Sequence, residues 1–404
     1  MLSALSPAVR QYLLVTGNYW AFTLTDGALR MLVVLHFHQL GYSPLDIALL
    51  FIFYEFFGVV TNLVGGWLGA RIGLNRTMNI GLGLQVIALG MLLVPAAMLT
   101  VPWVMAAQAL SGIAKDLNKM SAKSAIKQLT RSGADSQLFK WVALLTGSKN
   151  TLKGVGFFMG GALLAALGFG GAVQAMLVLL VAVLIGSLLF LHQELGKARS
   201  KPKFSEIFST SPAVNRLSAA RLFLFASRDI WFVVALPVYL SSSFGWDFWL
   251  VGGFMASWVI GYGFVQAAAP WLTGRRRGIV PDGKSLTLWA LPLALLPLLI
   301  SAGLEIDAGI ALIGGLALFG VLFAVNSSLH SFLIVSYAKA DGASMDVGFY
   351  YMANAMGRLI GTLLSGWVFQ VWGLQACLWL SALMLATSGI IALTLPRQAA
   401  AVSD

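Results

Sequence analysis

The sequence predicts an all-α polytopic membrane protein with twelve transmembrane helices in two six-helix halves. Of its 404 residues, 59% are apolar and 10% are charged, whereas a soluble domain carries roughly 25% charged residues. Twelve apolar runs approach the roughly 20 residues that a bilayer-crossing helix needs. One long polar stretch lies midway along the chain. This composition excludes a water-soluble globule.

Apolar runs interrupted by glycine, proline and charged residues predict the individual spans. In the first half they cover residues 12–36, 45–69, 77–95, 103–121, 138–167 and 171–191. In the second half they cover residues 217–240, 248–272, 285–302, 308–337, 347–371 and 374–395. The polar stretch, which includes KARSKPKFSE, separates the two sets. We therefore expect an N-terminal half at 1–193, a cytoplasmic linker at 194–216 and a C-terminal half at 217–404.

The basic residues predict the orientation of the chain. Of 26 lysines and arginines, 18 lie at alternate loops or their edges. The opposite loops hold acidic residues instead: Asp46, Asp247, Glu305 and Asp307. The positive-inside rule then places both termini in the cytoplasm. The sequence pI of about 9.9 follows mostly from this topology, so we expect a lipid bilayer and no nucleic acid as partner.

A weak internal repeat supports two related halves. Three matches recur at an offset of 204 residues: Gly41 with Gly245, Trp67-Leu68 with Trp271-Leu272, and Arg71 with Arg275. They fall at equivalent span ends, as expected for parallel repeats related by an axis along the membrane normal. Small residues four apart, at Gly156 and Gly160 and at Gly357 and Gly361, also predict close helix contacts.

Twelve ionisable residues fall within the predicted spans, where a charge at the bilayer centre costs roughly 2.5 to 3.5 kcal/mol. Eight are basic, namely Arg30, Lys115, Lys119, Lys149, Lys153, Arg221, Arg228 and Arg358. Four are acidic, namely Asp26, Glu55, Asp116 and Asp229. Mutual pairing that only holds helices together is one explanation, but it leaves an excess of four positive charges. This excess favours a water-filled cavity that receives a polyanion.

Spacing and depth select candidate binding residues, because side chains four apart share a helix face. Arginine offers a planar fork to phosphate-like oxygens, and lysine a mobile point charge. The predicted substrate-binding residues are Arg30, Lys119, Lys149, Lys153, Arg228, Asn354 and Arg358. Asp26, Glu55 and Asp229 are candidates either for proton coupling or for ion pairing.

Lysines recur every four residues along the fourth span and form a basic stripe. Such a stripe is suited to drawing anions inward from the cytoplasm, and Lys115 and Lys119 lie too deep in the membrane for ordinary anchoring at its surface. Lys123 and Lys127 are more typical of positive-inside anchoring at the membrane surface. Whether Lys115 and Arg221 line the cavity or support it stays open, because one sequence does not fix helix rotation.

Several other classes of protein are excluded or disfavoured. Cys377 is the only cysteine, which excludes an intrachain disulfide framework and a cysteine metal site. The chain carries no phosphate-cradling P-loop, no Ser/His/Asp set and no HExxH motif. We therefore expect no catalytic residues, no metal and no cofactor, and a protein that is not an enzyme.

The sequence resembles the major facilitator superfamily, through its twelve spans, its basic linker and the segment GWLGARIGLNR at 66–76, which is similar to that superfamily's loop signature. Ala70 stands where an aspartate is usual. Within the superfamily it resembles the ArsJ-type organoarsenical efflux permeases. The likeness lies in QYLLVTGNYWAFTLTDGALR, FYEFFGVVTNLVGGWLGAR, SGIAKDLNKMSAKSAIK, WVALLTGSKNTLKG and RLFLFASRDIWFVVALPVYL.

This resemblance implies export of 1-arseno-3-phosphoglycerate across a bacterial inner membrane by alternating access, which confers arsenate resistance. A companion glyceraldehyde-3-phosphate dehydrogenase makes that ester when it uses arsenate in place of phosphate. An exchanger of ordinary sugar phosphates or organic anions would need the same cationic cavity. A membrane-embedded enzyme or sensor acting on a polyanion is the alternative from another class. Substrate competition and flux into proteoliposomes discriminate between them.

Overall fold

A computed structural model describes residues 7–41, 50–129, 135–191, 197, 203–204, 207–246, 248–273, 280–339 and 341–396. These residues form α-helices, with a 3₁₀ turn at Ala96–Met98 and no strand. The helices of the N-terminal part are α1 (Pro7–Gln39), α2 (Ile52–Ile72), α3 (Leu74–Met91), α4 (Val101–Leu129) and α5 (Asp135–Phe190). Those that follow are α6 (Pro212–Phe232), α7 (Ala235–Phe244), α8 (Phe248–Leu272), α9 (Gly283–Gly303), α10 (Ala308–Tyr337) and α11 (Ala343–Leu393).

The helix lengths match a multi-pass membrane protein. Within the described residues, seven helices are long and apolar enough to cross a bilayer by length and composition. Two of them, α5 and α11, have 56 and 51 residues, enough for two crossings each. When α6 and α7 are counted as one segment, and α1, α3 and α4 are added, the described residues contain twelve segments of roughly crossing length. The predicted number of spans is therefore confirmed.

Two glycines divide the long helices. The sequence predicts breaks between residues 167 and 171 and between 371 and 374, and the structure reduces each break to one residue. Gly168 has φ 68° and Gly373 has φ 75°. Glycine adopts this left-handed backbone without a Cβ clash. Each long helix therefore bends at its glycine and continues as a second span.

The predicted span at 217–240 agrees with one candidate membrane segment at Pro212–Phe244, within which the helix breaks at Val233 and Val234, between α6 and α7. Pro237 lies four residues after Val233, and a proline ring clashes with the carbonyl four residues earlier. The hydroxyl oxygen of Ser365 accepts hydrogen bonds from the backbone N–H groups of Val234 (3.3 Å) and Ala235 (3.1 Å). A serine side chain thus satisfies the amides that the break exposes.

The chain divides into two compact units. Unit 1 contains residues 1–134, 148–208 and 338–352, and its apolar core includes Phe22, Leu32 and Leu82. Unit 2 contains residues 135–147, 209–337 and 353–404, and its core is rich in aromatic rings around Trp231 and Phe319. Helices α5 and α11 each begin in one unit and continue in the other.

The same helix pair packs closely within each unit. In unit 1, a Cβ on Gly160 would overlap the backbone carbonyl of Ala28, so α5 lies directly against α1. In unit 2, a Cβ on Gly361 would lie 2.7 Å from the carbonyl oxygen of Ala226, so α11 lies directly against α6. Gly156 and Gly357 make equivalent approaches one turn earlier. These contacts confirm the close packing predicted from the small-residue spacing.

The internal repeat has further support in the backbone. Gly41 and Gly245, which match at the 204-residue offset, both have positive φ, at 84° and 66°. Several residues used for the repeat and the orientation lie outside the described residues: Asp46, Arg131, Arg199, Lys201, Asp247 and Arg275 to Arg277.

Candidate functional site

In unit 1, Tyr54 connects the charged residues of three helices. Its hydroxyl donates to the carboxylate of Asp26, with oxygen–oxygen distances of 2.8 and 3.0 Å. The Arg30 guanidinium lies 4.3 Å from the centre of the Tyr54 ring, and the Lys115 ammonium lies 3.8 Å from it. Both distances suit cation–π attraction. Arg30 also pairs with Glu55 at 2.7 Å, so this cluster joins α1, α2 and α4.

One buried carboxylate in unit 1 is shared by two lysines. Asp116 has a side chain that is 2% exposed; it lies 2.5 Å from the Lys119 ammonium and 3.7 Å from that of Lys115. The lysine side chains are 11% and 16% exposed. All three residues belong to α4, where Lys119 follows Asp116 by three positions and therefore lies on nearly the same face. The group carries a net positive charge.

Lys123 differs from the expectation of an anchor at the membrane surface. It is only 3% exposed, and its ammonium donates to the Tyr351 hydroxyl at 2.5 Å. The Lys119 and Lys123 ammonium groups each lie 4.8 Å from the centre of the Tyr351 ring. The basic stripe on α4 therefore stays buried for at least one turn beyond the predicted limit.

Lys149 and Lys153 lie half-buried on the part of α5 that packs against α1. The backbone carbonyl of Lys153 faces Gly27 of α1, whose missing side chain leaves room for it. The Lys153 ammonium lies 5.8 Å from the centre of the Phe157 ring. Gly27 follows Asp26 directly, so Lys153 and Asp26 lie on neighbouring helices at a similar level.

In unit 2, a second buried carboxylate is shared by two arginines. Asp229 has a side chain that is 1% exposed; one of its oxygens accepts from the Arg228 side chain, at 2.6 Å from Nε and 2.5 Å from Nη2. Its other oxygen accepts from Arg358 Nε at 3.2 Å. Asp229 therefore bridges α6 and α11, and the two arginines outnumber it.

Arg221 and Asn354 form a second link between α6 and α11. Arg221 Nε donates to the Asn354 side-chain oxygen at 2.8 Å, and its Nη1 donates to the hydroxyl of Ser327 at 3.0 Å. Its guanidinium also lies 4.0 Å from the centre of the Phe225 ring. Asn354, which the sequence places among the substrate-binding residues, therefore contacts Arg221 directly.

The structure brings most of the predicted site residues into two clusters. The cluster of unit 1 contains Asp26, Arg30, Glu55 and Lys119, and that of unit 2 contains Arg228, Asp229, Asn354 and Arg358. Sequence reasoning did not select Tyr54, Asp116 or Tyr351 as site residues. Two features of the sequence could have indicated these residues: Tyr54 is next to Glu55, and Asp116 is next to Lys115.

The electrostatics of both clusters favour an anion. Unit 1 holds five bases and three acids at span positions, and unit 2 holds three bases and one acid. At these positions each unit therefore has two more bases than acids, and the buried Lys123 adds a further base to unit 1. Within the described residues, no group of three His, Cys, Asp or Glu side chains is placed to hold a metal ion. Clustered guanidinium and ammonium groups of this kind suit phosphate-like or carboxylate oxygens.

The fold and these charged clusters define a helical multi-pass membrane protein of the transporter class. Residues 13–345 match the model of the Major Facilitator Superfamily, and the chain belongs to that superfamily. This membership indicates a transporter rather than an enzyme. No curated protein matches the chain significantly.

Solved structures share the fold at low sequence identity. The human organic anion transporter MFSD10 (TETRAN) is 16% identical, with a TM-score of 0.76 over 96% of this chain and 100% of that one. The E. coli fucose:proton symporter FucP is 13% identical, with a TM-score of 0.76 over 97% and 100%. A bacterial homologue of the iron transporter ferroportin, in an outward-facing state, is 12% identical, with a TM-score of 0.74 over 95% and 98%. The predicted fold class is confirmed.

Proposed function

We propose that this chain is an efflux carrier for an organic polyanion, and that its cargo is 1-arseno-3-phosphoglycerate. The observation that carries the proposal is the pair of cationic clusters, each built on a buried carboxylate shared by two bases. At the span positions each unit holds more bases than acids. A dianionic or trianionic substrate complements that charge.

The residues proposed to bind the cargo have complementary chemistry. Arg228 and Arg358 present guanidinium groups suited to bidentate contact with phosphate or arsenate oxygens. Lys119, Lys149 and Lys153 supply mobile point charges, and Arg30 a further guanidinium. Asn354 offers an amide that contacts Arg221. Glu55 and Asp229 form ion pairs with arginines, whereas Asp26 accepts a hydrogen bond from Tyr54. All three carboxylates are the candidates for coupling to protons.

The specific cargo rests on the resemblance to ArsJ-type permeases. A glyceraldehyde-3-phosphate dehydrogenase in the same cell would supply the ester from arsenate. The protein would lie in a bacterial inner membrane with both termini in the cytoplasm. There the halves 1–193 and 217–404 would open the binding site alternately to either side, with residues 194–216 as their linker.

A facilitator-type exchanger of ordinary sugar phosphates or organic anions is the second candidate. The same clusters of bases favour it, and an organic anion transporter is among the proteins of similar fold. Competition separates the two: a sugar-phosphate exchanger would carry glycerol 3-phosphate or glucose 6-phosphate in preference to the arsenic ester.

The test is arsenate resistance in an arsenic-sensitive bacterium that carries the dehydrogenase, this protein, or both. We expect resistance only with both, and we expect it to be lost when Arg228 or Arg358 is changed to glutamine. Membrane immunoblots confirm that each variant is made and inserted. Full resistance in both neutralised variants contradicts the proposed binding role, and resistance without the dehydrogenase contradicts the proposed cargo.

A further inference from the structure

In unit 2, a carboxylate of the protein itself holds the two arginines that are proposed to bind the cargo. Asp229 uses one carboxylate oxygen for Arg228 and the other for Arg358. An oxyanion that bridges two guanidinium groups would use its oxygens in the same way. A transported anion that binds Arg228 and Arg358 must therefore compete with Asp229 for them.

The side chain of Arg228 reaches the carboxylate of the next residue on the same helix. Adjacent residues on a helix do not face each other, yet two nitrogens of Arg228 lie within 2.6 Å of an oxygen of the next residue, Asp229. The contact therefore requires the long side chain to fold back along α6. Three aromatic rings lie within 6 Å of the guanidinium, those of Phe225, Phe232 and Phe323.

The two arginines are more exposed than the carboxylate that they share. The side chain of Asp229 is 1% exposed, whereas those of Arg228 and Arg358 are 15% and 28% exposed. The carboxylate is thus the most enclosed member of the group, and the two guanidinium groups are the more accessible ones.

We propose that Asp229 is an internal counter-anion, which holds Arg228 and Arg358 in the empty carrier and competes with the cargo for them. This inference rests on the proposed transport of an anion. In the loaded carrier the cargo takes over donors of the two arginines. On release the carboxylate takes them back, so the empty site does not carry two uncompensated buried cations during its return.

Asp116 of unit 1 supports the same principle, because it too is buried and shared by two bases. Its cations are lysines, which hold an anion as point charges without the planar fork of arginine. The effect of removing the carboxylate is therefore expected to be largest at Asp229.

Removal of the Asp229 carboxylate is therefore expected to strengthen the binding of an anion. The probe is 3-phosphoglycerate, a stable phosphorylated carboxylate, titrated by calorimetry into the purified full-length protein in lipid nanodiscs. We expect Asp229→Asn to bind it about tenfold more tightly than the parent, within the usual range of coupling between two ligands. Asp307→Asn, a matched loss of one acid at an exposed helix start, is expected to leave the affinity unchanged.

Release of the cargo is tested by a separate measurement, which compares exchange with net efflux. In proteoliposomes, Asp229→Asn is expected to keep exchange of labelled for unlabelled 3-phosphoglycerate and to slow net efflux into anion-free buffer, because only net efflux requires the empty carrier to return. Equal losses of exchange and net efflux contradict this step.

A second pair of variants keeps the test informative if Asp229→Asn alone does not fold. Arg358→Gln and the double variant Asp229→Asn/Arg358→Gln differ only by the acid, and the double variant keeps the parent's net charge. We expect the double variant to bind 3-phosphoglycerate more tightly than Arg358→Gln alone. Unchanged or weaker binding on loss of the acid, in either background, overturns the inference.

These outcomes separate the inference from the proposed cargo. If acid removal tightens binding of 3-phosphoglycerate but vesicles take up no arsenic, the counter-anion stands and the arsenical cargo is wrong. If neither 3-phosphoglycerate nor inorganic phosphate binds Asp229→Asn, the counter-anion is wrong even where arsenic transport is observed.

Discussion

Tyr54 donates its hydroxyl hydrogen to Asp26, 28 positions earlier in the chain, and so links α2 to α1 through a carboxylate that is nearly inaccessible to solvent. The same ring lies against the cationic groups of Arg30 and Lys115. A single aromatic residue therefore touches one acid and two bases, from its polar end and from its face. This geometry makes Tyr54 a positioning residue for the unit 1 cluster.

Replacement of Tyr54 by phenylalanine separates these two contacts. The ring stays beside both cations, but the Asp26 carboxylate loses its phenol donor. An unsatisfied buried group costs roughly 1 to 3 kcal/mol, so we expect a lower thermal midpoint in detergent and reduced transport. Tyr19→Phe is the control, because its buried hydroxyl makes no hydrogen bond to the described residues. Equal midpoints for the two variants would contradict the role of Tyr54.

Close packing of α11 on α6 predicts a strong dependence on glycine. A Cβ at Gly361 would lie 2.7 Å from the Ala226 carbonyl oxygen and 3.0 Å from the Asp229 Cβ. We expect Gly361→Ala to destabilise unit 2 by about 1 to 3 kcal/mol through overpacking, measured as thermal unfolding of the purified protein. Gly366→Ala on the same helix meets nothing within 4 Å and is expected to unfold like the parent.

The break between α6 and α7 predicts a cost for removing Ser365. Its hydroxyl accepts from two backbone amides, and Ser365→Ala leaves both without that partner. We expect a loss of about 1 to 3 kcal/mol in stability. Thr387→Ala, whose exposed hydroxyl bonds only within its own helix turn, serves as the comparison. A Ser365→Ala midpoint as high as that of Thr387→Ala would show that the amides find another acceptor.

Contact between Arg221 and Asn354 predicts that the two residues act as one group. If Asn354 works by positioning Arg221, then Asn354→Ala should add little to the transport defect of Arg221→Gln. We expect a coupling energy of about 0.5 to 3 kcal/mol in a double-mutant cycle of transport rates. Additive defects would indicate instead that Asn354 binds the cargo independently.

The sequence predicts the spans well because hydropathy and glycine positions act locally. The spans at 248–272 and 308–337 agree with α8 and α10, and the bends at Gly168 and Gly373 fall where the apolar pattern is interrupted. The break before α7 was missed because Pro237 lies within an apolar run, where its effect on Val233 leaves no trace in hydropathy. Ser365, whose hydroxyl accepts from the backbone amides at this break, is distant in the chain.

The side-chain clusters were predicted only in part. The depth and sign of the charges pointed to Arg228, Asp229 and Arg358, which the structure joins. The rotation of each helix about its axis decides which charges meet, and one sequence does not contain it. For that reason the burial of Lys123 against Tyr351 emerged only from the folded chain. The contact of Asp116 with Lys119 is local, because the two residues lie three positions apart on one helix.

Uptake into everted membrane vesicles tests the proposed export of an arsenic-containing organic anion. Arsenate, glyceraldehyde 3-phosphate, NAD and the dehydrogenase generate the ester outside the vesicles. We expect arsenic to accumulate inside only when all components and this protein are present, and far less with Arg228→Gln. Arsenic that stays outside while a plain phosphorylated metabolite enters would contradict the assigned cargo.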